Sequence, residues 1–600
     1  MQLNESIMKI SYLDGPRLYN AFLVGGNEVI KDQKYLNKIN VFPVPDSDTG
    51  TNLASTMRSI AEGAVPNPSV HKTLHSIADT ALSGAQGNSG MIFAQFLHGI
   101  SKEIKKVKRI STSSFGETVK KAVQHAYRSV VSPVEGTMLT VMKDWAEAVY
   151  QKRTHMRDFV DLLSYSLQVT KKSLIETRNK LPVLAKAGVV DAGAKGFVDF
   201  LEGITNFIKK GKLKKIPKPL ALWKEDEGFH VHKDKDAIEQ RYCTEALLVG
   251  KGMNLDKLRE ETIPFGSSAI LAGSEEKVRI HIHTDHPADL FYRLKDYGTI
   301  AQLKADDMQK QYEASYERKS KIALVTDSVC DLPQEIIDEY QIHVIPFNLS
   351  FGESLFLDKI TITPDQFYTL LKIHKEHPKT SQPLLKTVQN LFSFLATHYE
   401  SIIVVNISDK LSGAHKLSQE ASSIVQNKKI SVINSRHLSV SLGLVVLRVA
   451  EEIDQGKPHD EIVKLAEEWI LKTKIFVDIQ TLKYMVRGGR VSPMKGLIAK
   501  ILNLKPIVSL DSEGKGVASG KSFSRRGNMK KITRMIKDMT DKEKLWNYAI
   551  VHAQNLERAE MYAEKIKESI HRNPAYIVDI SPVIGVHNGI GAVGIALMFE

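Results

Sequence analysis

The period of the hydrophobic pattern changes along this chain, and that change limits its fold more than any other feature. Up to about residue 207, segments such as HKTLHSIADTALSG, GETVKKAVQHAYRSVV and GAKGFVDFLEGITNFIKK place apolar residues three and four apart, the spacing of helices with one buried stripe. The stretch FIKKGKLKKIPKPLALWKEDEG then replaces that period with lysines, prolines and acidic residues, as linkers do. From about residue 240, strand-like runs (CTEALLV, SSAILAG, KVRIHIHT) are interleaved with helical ones. After YERKSK the alternation becomes regular: KIALVTDS, IHVIPFNL, SIIVVNIS, KISVINS and WNYAIVHA stand between amphipathic segments such as HDEIVKLAEEWILKT.

A chain of 600 residues exceeds what one hydrophobic core usually supports. The expectation is therefore a multidomain protein, with an all-α domain over residues 1–210 and a basic linker over 211–239. An α+β middle domain over 240–318 and an α/β domain with largely parallel strands over 320–600 complete it. Hydrophobic residues at 42% and charged residues at 25% are those of a globular protein. No run of eighteen apolar residues occurs and the first residues lack the features of a signal peptide, so a cytoplasmic location is expected. The two cysteines, Cys243 and Cys330, fall in different segments, which argues against a disulfide framework. A net charge of +13 points to anionic partners such as nucleotides or a membrane surface. Nucleic acid is not expected, because no helix-turn-helix, finger or aromatic RNA-binding signature accompanies the charge.

The segment NVFPVPDSDTGTN sets Asp46 and Asp48 two residues apart in a loop that opens a helix. Carboxylates so placed can converge on Mg²⁺, while amides at the helix start hold an anion; the alternative is an acidic turn that caps the helix. Three glycine-rich turns also open apolar helices: SGAQGNSG with Gly87, Asn88 and Ser89, SPVEGT with Gly136 and Thr137, and AGVVDAGAKG with Gly193. Such turns bring backbone amides close to phosphates, or else cap helices and let them pack closely.

These four motifs resemble the ATP-binding domain of dihydroxyacetone kinases, in the version found in bacterial fatty acid kinases. The resemblance covers roughly the first 210 residues. It implies an all-α helical barrel of eight helices, with ATP at one end and Mg²⁺ held by the acidic loop. Asp46 and Asp48 would be the Mg²⁺ ligands with Asn40 as a third, and Thr49, Thr51, Asn52 and the Asn88-Ser89 turn would line the phosphates. Ser47 stands where that family usually has glycine, and Gln86 where it usually has arginine.

In KVRIHIHTDHP, strand alternation places His281 and His283 on one face. With Cys243 on the CTEALLV run they would form a set suited to Zn²⁺ with an open fourth position, or simply a satisfied polar face. The middle region of fatty acid kinases is similar, with a cysteine and an IHxHTD strand in like places. That resemblance favours a functional site and makes His281 and His283, with Asp46 and Asp48, the candidate catalytic residues.

In the last segment, loops after strands carry hydroxyls and glycines: Thr380-Ser381, Ser408 to Ser412-Gly413, and Asn434-Ser435-Arg436. Parallel α/β folds bind ligands at such loops. GIGAVG near the C-terminus matches a dinucleotide fingerprint, but only six residues follow it, too few for the helix and second strand such a site requires. These loops, with YMVRGGRVS and His587, resemble the DegV family of fatty-acid-binding proteins over roughly residues 320–600. The resemblance implies a fatty acid whose carboxylate meets Thr380, Ser408 or Ser412, and His587, with Ser381, Gly413 and Arg436 alongside. Asp409 replaces a common serine there, and Ala414-His415 a Thr-Tyr pair.

Together these resemblances imply a fused fatty acid kinase that converts a bound fatty acid to an acyl-phosphate with ATP and Mg²⁺, and with Zn²⁺ as the candidate middle-domain metal. A separate fatty-acid carrier or acyltransferase and a membrane surface are candidate partners, and a homodimer is the expected assembly. The alternatives are a lipid-binding or carrier-docking protein without phosphoryl transfer inside the chain, and a kinase for a small polyol.

Overall fold

The computed structural model describes residues 9–42, 48–210, 238–426, 428–489, 505–522 and 524–600. Asp46, Ser47, most of the expected linker and the end of YMVRGGRVS lie outside the described residues. The chain divides into two compact units. One is Met1–His286 with Leu294–Gln311, and the other is Tyr312–Glu600 with Pro287–Arg293.

The first unit begins with α1 (Gly15–Lys31), α2 (Gln33–Lys38), α3 (Thr49–Gly63), α4 (Val70–Gly84) and α5 (Gly87–Glu103). It continues with α6 (Thr112–Ser129), α7 (Met138–Lys152), α8 (Phe159–Lys180), α9 (Pro182–Ala187) and α10 (Ala192–Lys209). Asp14, Asp158 and Asp191 cap α1, α8 and α10 by accepting from the N–H groups of Arg17, Val160 and Ala194. Among the described residues of this unit, the eight helices of 15 or more residues close into a ring in the order α1, α3, α4, α5, α6, α7, α8, α10. The amphipathic stripes read in the sequence thus face one shared interior. Phe93 meets Phe197 and Phe200 there, and Trp145 meets Phe96, Phe115 and Phe197, all edge-on at 5.0 to 6.3 Å between centroids. Each such pair contributes roughly 0.5–1.5 kcal/mol beyond the burial itself.

A two-stranded ribbon departs from an all-α reading. Tyr12–Asp14 (β1) and Arg109–Ser111 (β2) pair antiparallel and tie the start of α1 to the start of α6. Three-residue strands are too short to show a period in sequence.

The remainder of the first unit is an antiparallel sheet. Its strands are β3 (Tyr242–Val249), β4 (Gly266–Gly273), β5 (Lys277–Thr284) and β6 (Thr299–Asp307), in the order β4-β5-β3-β6. A short helix, α11 (Leu255–Thr262), joins β3 to β4. The edge strand β6 went unread because TIAQLKADD is largely polar and most of it stays outside the core. On one face of the sheet Ala246, Leu248, Val278, Ile280 and Ile282 are buried, as alternation requires. Ile270 and Ala272 of β4 belong to the same apolar core as the barrel helices. Gly273 N–H donates to Gln95 Oε1 at 2.8 Å, and Lys277 Nζ donates to Ser83 Oγ.

In the second unit, Lys429–Asn434, Ser401–Asn406, Ile322–Asp327 and His343–Ile345 form a wholly parallel sheet in that order. A six-stranded sheet runs Gly516–Ser522, Lys505–Leu510, Thr473–Asp478, Val593–Phe599, Leu545–His552, Ile577–Asp579. It is antiparallel except for its last pair. The expectation of largely parallel strands therefore holds for the first sheet and is corrected for the second. Apolar runs buried on both faces look alike in either direction, and only the connections set their sense. GIGAVG leads directly into the strand Val593–Phe599 and not into a helix. No described helix is long and apolar enough to cross a membrane.

Candidate nucleotide, metal and acyl sites

Short connections make consecutive barrel helices antiparallel, so α3, α5, α7 and α10 all begin at one end. Asp48, Gln86 and Thr137 precede α3, α5 and α7 without a side-chain cap. Part of each first turn is spent within the fold: Gly87 N–H donates to Glu245 Oε1 at 2.6 Å, Thr51 N–H to Asn37 Oδ1 at 3.0 Å, and Met138 N–H to the Asp191 carboxylate, which leaves the remaining first-turn N–H groups of three neighbouring helices to meet an anion. Asp48 Oδ2 accepts from Asn52 Nδ2 at 2.6 Å, and Ser89 Oγ donates to the Thr49 carbonyl at 3.4 Å. Gly87 has φ +56°, and a Cβ there would lie 2.0 Å from Asn52 Nδ2. The turn at α5 is therefore seated directly on the first turn of α3. Asn88 Oδ1 is buried with no hydrogen-bond partner among the described residues. An unspent polar atom beside these helix starts fits a polar ligand such as a hydrated cation with phosphate.

The other expected contacts divide. Gly193 of α10 lies against Met138 of α7, which brings it beside Gly136 and Thr137. Thr51 is occupied otherwise: its hydroxyl accepts from Asn37 Nδ2 at 3.0 Å and Gln33 Nε2 at 3.1 Å, which anchors α2 on α3. Asn40 is buried at the end of α2. The sequence reading missed Lys195, which bridges Asp32 at 2.7 Å and Asp199 at 2.5 Å. Burial pushes the Asp199 carboxyl up to about 7, with Lys195 opposing and Asp32 adding to the rise. The i,i+4 spacing of Lys195 and Asp199 was the available signal.

On the middle sheet, β3 and β5 pair so that Cys243 lies opposite His283 and Glu245 opposite His281. One ligand atom from each of Cys243, His281 and His283 lies within 4.8 Å of the others. His281 Nε2 is buried and lacks a hydrogen-bond partner among the described residues. Donor types and the unspent nitrogen fit Zn²⁺. Alternation, which placed the histidines on one face, also places Glu245 beside Cys243 and Arg279 beside His281. Both were legible by the same rule and were missed. Burial alone would raise the Glu245 carboxyl, but the His281 hydrogen bond and the Arg279 charge hold it well below the usual carboxylate range. Burial, with Glu245 and Asp306 beside it, pushes the Cys243 thiol up.

In the second unit, the turn at Ser412-Gly413 abuts Gln382, next to Thr380 and Ser381 on the strand Lys379–Ser381. That strand packs on the helix Pro582–Asn588, which carries His587. Thr380, Ser381, Ser412, Gly413 and His587 therefore come from adjoining elements. Ser408 belongs to the same turn, its carbonyl accepting from Ser412 N–H at 3.1 Å, but its fully buried hydroxyl is spent elsewhere, donating to the Gly514 carbonyl at 2.9 Å and accepting from Lys410 N–H at 3.2 Å. Arg436 reaches the Gly514 turn through the Ser512 carbonyl at 3.4 Å. Tyr368, also unread, lies against Gly585 with a buried hydroxyl that has no partner among the described residues.

A helical barrel with an anion-receptive end, a thiol–imidazole set and an α/β unit with gathered hydroxyls define a chain with kinase-like and ligand-holding parts. Comparison with known families agrees: residues 43–206 match the DAK2 domain, 239–315 the FakA-like middle domain of fatty acid kinases, and 321–600 the DegV family of uncharacterised proteins. The three in one chain match the architecture of a fused fatty acid kinase. An uncharacterised protein of Staphylococcus saprophyticus is 35% identical over 50% of this chain and 56% of its own. One of Staphylococcus epidermidis is 28% identical over 82% of this chain and 90% of its own. The chain thus spans little more than half of the first relative. Among solved structures, DegV, a fatty acid binding protein from Bacillus subtilis, is 29% identical, covers 47% of this chain and 100% of that one, and has a TM-score of 0.44.

Proposed function

We propose that this chain transfers the γ-phosphoryl group of ATP to the carboxylate of a fatty acid held by its second unit. The observation that carries this reading is the presence, in one chain, of three helix starts without an N-cap side-chain bond, gathered around Asp48, Asn52 and Asn88, and of a unit matching the DegV family. A fatty acid is already ionised at neutral pH, since carboxyl groups titrate near about 4, so its attack needs no general base. One carboxylate oxygen forms a bond to the γ-phosphorus, the bond from that phosphorus to the β–γ bridging oxygen breaks, and ADP leaves with the electron pair. When bound by Asp46 and Asp48, Mg²⁺ supplies charge neutralisation on the phosphates. The helix starts hold the phosphates by the first-turn N–H groups that Glu245 and Asp191 leave over, and Thr380, Ser412 and His587 hold the carboxylate. Sequestering the chain is favourable by roughly 0.8 kcal/mol per buried CH₂.

The reading is tested by native mass spectrometry of the purified protein, followed by addition of MgATP. Bound fatty acid that gains one phosphoryl group as ADP appears is the expected result. Turnover that ignores fatty acid but proceeds on dihydroxyacetone would overturn it. Lipid that stays unmodified in the chain while a separately supplied carrier becomes loaded would favour the docking alternative.

A further inference from the structure

Glu245 lies between the two candidate sites of the first unit and touches both. Its Oε1 accepts from the backbone N–H of Gly87 at 2.6 Å, and its Oε2 accepts from Arg279 Nη2 at 3.1 Å. Oε1 also faces His281 Nδ1 at 3.4 Å, on the ring whose Nε2 has no hydrogen-bond partner among the described residues. The residue is 4% exposed, and Arg279 is 7% exposed while also reaching the Ser83 carbonyl at 3.3 Å, just before the same glycine turn. A metal-binding histidine commonly gives its second ring nitrogen to a carboxylate, which fixes the ring's orientation. Here that carboxylate grips the first N–H of α5, the helix start that carries Asn88 and rests on Asn52.

We propose that Glu245 is a positioning residue that couples metal occupancy at Cys243, His281 and His283 to nucleotide binding at the Gly87 turn. This rests on the nucleotide reading given above for that turn. A metal that fixes the His281 ring fixes Glu245, and Glu245 fixes the Gly87 amide. With the ring unfixed, the same oxygen is shared between two donors and the turn loses its anchor. Such linkage is reciprocal, so nucleotide must tighten metal binding by the same factor that metal tightens nucleotide binding.

The test uses the full chain stripped with a chelator and titrated with a non-hydrolysable MgATP analogue in a calorimeter, with and without added Zn²⁺ and without fatty acid. Loss of one charge-assisted hydrogen bond to an amide corresponds to about tenfold in affinity. Zn²⁺ should tighten the analogue about tenfold in the unaltered protein, and Glu245→Ala should remove that dependence while still binding Zn²⁺. Glu245→Gln, which keeps the shape and an oxygen for Gly87 but loses the charge that holds His281 and Arg279, should reduce it to about threefold or less and decides the matter if the alanine variant does not fold. Analogue affinity that ignores Zn²⁺ in the unaltered protein, or a full Zn²⁺ effect surviving in the folded variants, overturns the proposal. Coupling without acyl-phosphate formation would sink the fatty acid reading and leave this one standing, and the converse would do the opposite.

Discussion

Gly87 and Asn52 are in such close contact that no side chain fits between them: a Cβ on Gly87 would come 2.0 Å from the Asn52 amide nitrogen, at a φ of +56°. Two obstacles therefore act together at one position. The left-handed backbone alone costs an L-residue about 1–2 kcal/mol. Gly87→Ala should lower the melting temperature and displace Asn52 from Asp48, with MgATP affinity falling by more than tenfold in calorimetric titration. A variant that melts and binds nucleotide like the parent would remove Gly87 from the site.

Asp48 has two separable duties. It accepts from Asn52 Nδ2 at 2.6 Å, a bond that an asparagine side chain in its place could still accept, whereas a divalent cation needs the charge. Asp48→Asn should therefore retain the parent's melting temperature within a degree or two yet lose ATP turnover, while Asp48→Ala should lose both. Turnover that survives in the asparagine variant would mean that Asp48 does not serve a cation.

Asp199 makes stability depend on pH in a stated direction. Its folded carboxyl titrates at about 7 against an ordinary value of 3.8, with burial as the main cause. The folded state thus holds the proton where the unfolded state has lost it. The associated stability is fully present below 3.8 and is lost as the pH rises through about 7. Calorimetric scans between pH 4 and 8 should show a decline that is flattened in Asp199→Asn, and parallel profiles for the two proteins would refute the assignment.

The two serines named as alternatives for holding a carboxylate should behave differently. Ser408 spends its hydroxyl on Gly514 and Lys410 inside the fold, so Ser408→Ala should cost about 1–3 kcal/mol of stability with little direct effect on lipid identity. Ser412, whose neighbour Gly413 abuts Gln382 and whose hydroxyl accepts only from Ala414 N–H at 3.3 Å among the described residues, should instead reduce fatty acid retention when changed to alanine, at a smaller cost in stability. Native mass spectrometry and urea unfolding on both variants separate these outcomes.

Pattern alone carried the class of each segment, because helical and strand periods are local properties that tertiary packing has no need to alter. The eight long helices, the strands β3, β4 and β5 and the parallel strands of the second unit all follow from it. The pairing of His281 with His283 was legible for the same reason, and Glu245 and Arg279 were legible too had the alternation been followed one step further. β6 was not, since a polar edge strand shows no apolar period.

What the chain by itself determined is which residues could bind metal, anion or carboxylate and on what kind of element each sits. Only the tertiary structure decided which of them meet. Closing eight helices into a ring brings Asp48, Gly87, Thr137 and Gly193 to one end, although most of the helical domain's sequence separates the first from the last. Packing the middle sheet on that ring sets Glu245 against Gly87 across 158 positions of sequence. It also decided that the Ser408 hydroxyl is spent inside the fold and that the Ser412-Gly413 turn abuts Gln382. Such meetings depend on loop closure and on the burial of distant faces against each other, and those are properties of the whole fold that no local period records.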